Sequence, residues 1–168
     1  MNEALEFAVY SLVIGTGATV LIDLWALGLK WLLGIPSMNW GLVGRWIGHM
    51  PAGRFVHDGI GKATPITGEM AIGWIAHYAI GVVFAGILLA MWGLDWAHAP
   101  TLLPALIIGW ATIVAPFFLM QPGLGLGIAA ARAPKPGVAR LRSFLTHTVF
   151  GLGLYGSAYL LALARPLA

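Results

Sequence analysis

The chain has 168 residues, of which 60% are hydrophobic and only 9% charged, against about 25% charged in an ordinary soluble domain. A soluble fold of that composition would expose large adhesive patches, so the composition excludes a water-soluble globule, and the length suits a single domain. The net charge of +3 sits in loops between apolar runs, which points to membrane topology and not to nucleic acid. The absence of cysteine excludes disulfides, thiolate metal sites and cysteine nucleophiles.

The first apolar run extends from about Leu5 to Leu33. It starts with Glu3 and Glu6 where a cleaved signal would start with basic residues, so it is expected to be a permanent span. It exceeds the roughly 20 residues a crossing needs and is expected to tilt or to reach into the interface, with Lys30 snorkelling at its end. Gly15, Thr19 and Asp23 recur every four residues, and Asp23 is the acid inside the run. Ile35-Pro36-Ser37 then breaks the helix. Residues 38–68 mix Trp40, Trp46 and Phe55 with Arg45, His49, Arg54, His57, Asp58 and Lys62. No part of this segment is apolar for long enough to cross, and aromatic plus basic residues suit the headgroup region. One or two short interfacial helices are expected there, split at Pro51.

The second span runs from about Glu69 to Trp92, and Glu69, Gly73, His77, Gly81 and Ala85 form a stripe at a spacing of four. On a helix such a stripe lets a neighbour approach closely and turns its polar members toward a partner. A third span is expected over about 101–120, kinked at Pro116. The run GLGLGIAAA follows it as a helical turn or surface loop, then a basic linker over residues 132–142. The fourth span covers about 141–164, with His147, Gly151, Tyr155 and Tyr159 as its stripe. Four spans put both termini on one side. Lys30, Arg45, Arg54, Lys62, Arg132, Lys135, Arg140 and Arg142 lie on the other side, against Arg165 alone. The positive-inside rule then places the long loops in the cytoplasm and both termini in the periplasm.

That topology puts Asp23, His77 and His147 at one depth, on the order of 10 Å inside the cytoplasmic boundary. They are expected to converge, with Glu69 and Tyr78 nearby. Polar groups at such depth are expensive and face partners or cavities. Several chemistries stay open. An Asp, Glu and His chain can bind or pass a proton or small solute. His77 and His147 could ligate haem iron, or hold a divalent metal together with the carboxylates. Simple mutual hydrogen bonding that fixes helix register accounts for the same residues. The glycine stripes could instead dock the chain to a second copy or to a larger membrane complex, as a structural or accessory subunit. Arg45, Arg54 and Lys62 could hold anionic lipid headgroups, with plain topology as the simpler account. His49 and His57 are expected to be solvated in the interface. Glycines 123, 125 and 127 lack the strand and the Gly-Lys-Ser ending of a phosphate loop, and neither HExxH nor a nucleophile elbow is present.

The runs GLVGRWIGHMPAGRFVHDGI, GEMAIGWIAHYAIGVVFAG, FFLMQPGLGLGIAAARAPKP and THTVFGLGLYG together resemble a bacterial family of small integral membrane proteins catalogued as a domain of unknown function. The resemblance extends from about Asp23 to Tyr155. It implies an inner-membrane protein of about four helices and assigns no catalytic residue or ligand. The expected architecture is therefore an all-α, four-helix transmembrane bundle with an interfacial helical segment between the first two spans, embedded in the lipid bilayer.

Overall fold

A computed structural model describes residues 2–164; Arg165, which weighed in the charge asymmetry, lies outside the described residues. All regular structure among them is helical: α1 (Glu3–Leu33), α2 (Trp40–His49), α3 (Glu69–Trp92), α4 (Leu94–His98), α5 (Leu102–Ala111), α6 (Gln121–Gly123) and α7 (Pro136–Leu163), with short 3-10 and π turns between some of them. Three helices among the described residues are long and apolar enough to cross a membrane. They are Glu3–Leu33, Glu69–Trp92 and the continuous run Leu102–Gly123. Although α7 has 28 residues, a denser set of polar side chains, among them Ser143, Thr146, His147 and Thr148, keeps it outside that set.

Local chemistry sets the boundaries. The Asn2 side chain accepts from the Leu5 N–H and starts α1 two residues before the expected Leu5. Gly34 stops it in a left-handed conformation at φ 65°. Pro136 stands in the first turn of α7, where its missing N–H costs nothing. As a result α7 takes in Arg140 and Arg142, which were expected in a linker. Pro116 cannot donate to the Thr112 carbonyl, which accepts from Ala115 instead. The helix resets through a π turn over Pro116–Met120, so the expected kink becomes a change of helix type.

The segment expected at the interface packs against α3. After Gly34 the chain doubles back along α1, and the Ser37 hydroxyl donates to the Ala26 carbonyl at 3.4 Å. From Trp40 it reverses again and descends antiparallel to the first turns of α3. The glycines allow this. A Cβ on Gly44 would collide with the Glu69 carbonyl, and one on Gly73 with the Trp40 carbonyl. Backbone therefore lies directly on backbone, as small-residue stripes permit.

The remaining stripes are consumed in the same way. Gly15 faces the Gly81–Val82 backbone, Gly109 faces His147 and Gly151, and Gly153 faces Ala18. Thus α1 packs on α3 and α7, and α7 packs on α5. The glycine stripes expected to offer a docking surface are closed inside the molecule. The core joins Ile14, Ala18, Ala85, Leu88, Ile108, Phe150 and Leu154. Outward faces are apolar as well, with Leu12, Ile75, Val83, Leu103, Val114 and Leu160 all exposed.

The two long loops meet at one end. His57 donates its backbone N–H to the Gly123 carbonyl at 3.1 Å, and Ile60 to Leu124 at 3.0 Å. At the opposite end His98, the last residue of α4, pairs with Glu6 of α1 at 2.9 Å. Overpacking the α2–α3 seam with Gly44→Val should cost about 1–3 kcal/mol and lower the melting temperature in detergent. Gly28→Ala, at a site with nothing within 4 Å, should leave it unchanged or raise it slightly.

Candidate functional site

The stripe of α3 delivers His77 toward α1, where Asp23 waits. His77 Nε2–H donates to Asp23 Oδ1 at 3.0 Å, and the Tyr78 hydroxyl donates to Asp23 Oδ2 at 2.8 Å. Each carboxylate oxygen thus has its own donor, from adjacent residues of one helix. The His77 ring is stacked on Trp40, with centroids 3.8 Å apart and planes at 23°, and Trp74 meets it edge-on at 5.8 Å. Trp40 reaches this position because the chain doubles back and α2 starts at the level of His77. Of the pair, His77 is the more enclosed, its side chain 9% exposed against 25% for Asp23. The expected meeting of Asp23, His77 and Tyr78 is therefore present.

Glu69 and His147 do not join them. Arg45, on α2, grips Glu69 with two parallel bonds of 2.8 Å, Nε to Oε2 and Nη2 to Oε1, the fork geometry that makes such pairs strong. Arg45 also donates to the Ala63 carbonyl at 3.0 Å, and Glu69 accepts from the Ile66 N–H at 3.0 Å. The bond to the Glu69 carboxylate raises the Arg45 pKa above its ordinary value. This guanidinium is consumed in fixing α2 and the chain before α3, which removes Arg45 from the expected headgroup set. Arg54 and Lys62 stay exposed and line a hollow of about 220 Å³ with His57 and Asp58.

His147 turns to α5. Its Nδ1 lies 3.1 Å from the Gly109 carbonyl and 3.0 Å from Thr112 Oγ1; a carbonyl only accepts, so this nitrogen carries the hydrogen. His147 does lie near the level of Asp23, since Gly153 of α7 touches Ala18 of α1, but the azimuth differs from the expected one. Gly109 draws α7 so close that the imidazole closes onto the α5 backbone. His77 thus bonds to α1 and His147 to α5. Among the described residues no three His, Asp or Glu side chains group as a metal centre would.

His49 and His57, expected in water, are 8% and 7% exposed and bonded to each other at 2.9 Å. Nothing in their local sequence signals the pairing, because it depends on the 50–64 loop folding under α2. Trp40 could not be foreseen either, since only the reversal after α1 brings it to His77.

Residues 12–161 match the family described as "Protein of unknown function (DUF2938)". The chain belongs to that family. No curated protein and no solved structure matches it. The family match covers both sides of the Asp23–His77 contact, the Arg45–Glu69 pair and the histidine pair.

Breaking the fork from one side strands a charge, and removing both partners does not. Arg45→Met should therefore lower the melting temperature in detergent more than Arg45→Met combined with Glu69→Leu. An additive double variant would show that the two side chains do not depend on each other.

Proposed function

We propose that the chain is a four-helix transmembrane protein of a bacterial inner membrane whose Asp23–His77–Tyr78 group binds a proton from the cytoplasmic side and passes it through the membrane. The observation that carries this reading is a carboxylate held by an imidazole and a phenol within apolar helices. Both donors share exchangeable hydrogens with Asp23 through direct hydrogen bonds, so a proton can change owner without side-chain travel.

The membrane frame follows from α1, α3, the run 102–123 and α7 as four spans. All eight Lys and Arg residues within the described chain belong to the end where the two long loops meet. The positive-inside rule puts that end in the cytoplasm and both termini in the periplasm. Tryptophans mark the depth. Trp25, Trp40 and Trp74 lie near the level of Asp23 and His77, and Trp92 and Trp96 lie toward the other end. From Trp74 to Trp92 α3 rises about 27 Å, close to the thickness of the hydrocarbon. The Asp23–His77–Tyr78 group then sits at the inner edge of the hydrocarbon, nearer the cytoplasm than the expected depth of about 10 Å. From there α2 carries Trp40, Arg45 and His49 down toward the cytoplasmic loops.

In this frame the exposed apolar faces meet lipid acyl chains, and Arg54 and Lys62 meet anionic headgroups. The chemistry named is proton binding, which needs no further group. The test is proton flux into liposomes carrying the purified protein and an internal pH-sensitive dye. Wild type and His147→Gln should conduct, whereas Asp23→Asn and His77→Phe should be at least about tenfold slower, the order by which a positioned acid–base group changes a rate. A wild-type protein no faster than empty liposomes would overturn the proposal, as would full flux in Asp23→Asn.

A further inference from the structure

The second polar centre lies in the cytoplasmic loops and takes no part in the Asp23–His77–Tyr78 group. His49 ends α2, and His57 sits in the loop that folds beneath it. Their rings make three hydrogen-bond contacts. His49 Nε2 meets the Thr64 carbonyl at 3.0 Å, His57 Nδ1 meets the Gly123 carbonyl at 3.3 Å, and His49 Nδ1 meets His57 Nε2 at 2.9 Å.

These contacts can be counted in protons. A carbonyl oxygen has no hydrogen to give, so each of the two outer contacts requires a hydrogen on the ring nitrogen. A neutral imidazole has one N–H, and each ring has then used its own. The two inner nitrogens would be left bare, lone pair facing lone pair at 2.9 Å, too close for a water to stand between them. One further proton between them turns that repulsion into a charge-assisted bond.

We infer that His49 and His57 form a proton-binding site, an imidazole–imidazolium pair holding three protons on four nitrogens. Glu69 of α3 is near enough to His49 for the two charges to interact, and Asp58 follows His57 in sequence; these carboxylates offset the added charge. Arg45, clamped to Glu69, and Arg54 and Lys62, beside His57 and Asp58, oppose it. The segment 121–125 packed on His57 contributes only carbonyls and no titratable side chain. The extra proton strengthens the contacts that tie α2, the approach to α3 and the 121–125 segment together. Gaining it at lower pH closes this strap, and losing it as pH rises loosens the 54–64 loop. The inference rests on the proton count alone and stands whether or not Asp23 and His77 conduct.

The test is nitrogen-15 NMR of the ring nitrogens in histidine-labelled protein in lipid nanodiscs, with His49→Gln and His57→Gln assigning the signals. Between about pH 5 and 8 the pair should show three ring N–H groups and a coupling across the inner bond at the acid end. One N–H and the coupling should disappear together as pH rises, while amide exchange over residues 54–64 speeds up. In His57→Gln that exchange should no longer follow pH. Two N–H groups throughout the window, one per ring, would overturn the inference. So would rings that titrate separately, or an exchange profile in His57→Gln matching wild type.

Discussion

The close approach of α2 to α3 is the constraint on which the rest of the structure depends. Gly44 and Gly73 let two helix backbones touch where any side chain would hold them apart. Because they touch, the chain leaving α1 can climb back to the level of Asp23 before it descends again. That reversal places Trp40 on the His77 ring, puts Arg45 opposite Glu69, and brings His49 to the foot of the bundle. Two polar centres and the ion pair between them are thus spaced along one short helix.

Each polar group in this seam has its hydrogen bonds completed by a different segment, which is how buried polarity is made tolerable. Asp23 receives two donors from α3. Glu69 receives both arms of the Arg45 fork and a backbone N–H. His49 and His57 reach carbonyls of Thr64 and Gly123. The heavy atoms of the seam are thus held by hydrogen bonds from several segments. Protons can shift along these bonds, and the functional reading follows from that.

Much of this was legible in the sequence. The spacing of four through Glu69, Gly73, His77, Gly81 and Ala85 identified the packing face of α3, and the bounds of that helix follow from Gly68 and Gly93. The contact between Asp23 and His77 followed from antiparallel spans of known rise. His147 shows the limit of such reasoning. Depth can be counted along a helix, but azimuth depends on which neighbour comes closest, and Gly109 decided that in favour of α5. The segment from 38 to 68 was illegible for a related reason. Its aromatic and basic residues suit a headgroup layer, and the same composition serves a helix lodged against α3. Only the glycines at 41, 44 and 48 hinted at close packing, and their partners are far away in the chain.

Because the natural chain has no cysteine, the doubling back after α1 can be tested by cross-linking in the native membrane without background. The pair Ser37→Cys and Ala26→Cys marks the point where the returning chain lies on α1. A short thiol-specific cross-linker should join the two positions within one chain at high yield. Failure to cross-link, with the Ser37→Cys thiol fully open to a bulky water-soluble reagent, would mean that the chain runs straight on into the headgroup layer. The α2–α3 seam and both polar centres built on it would then be absent.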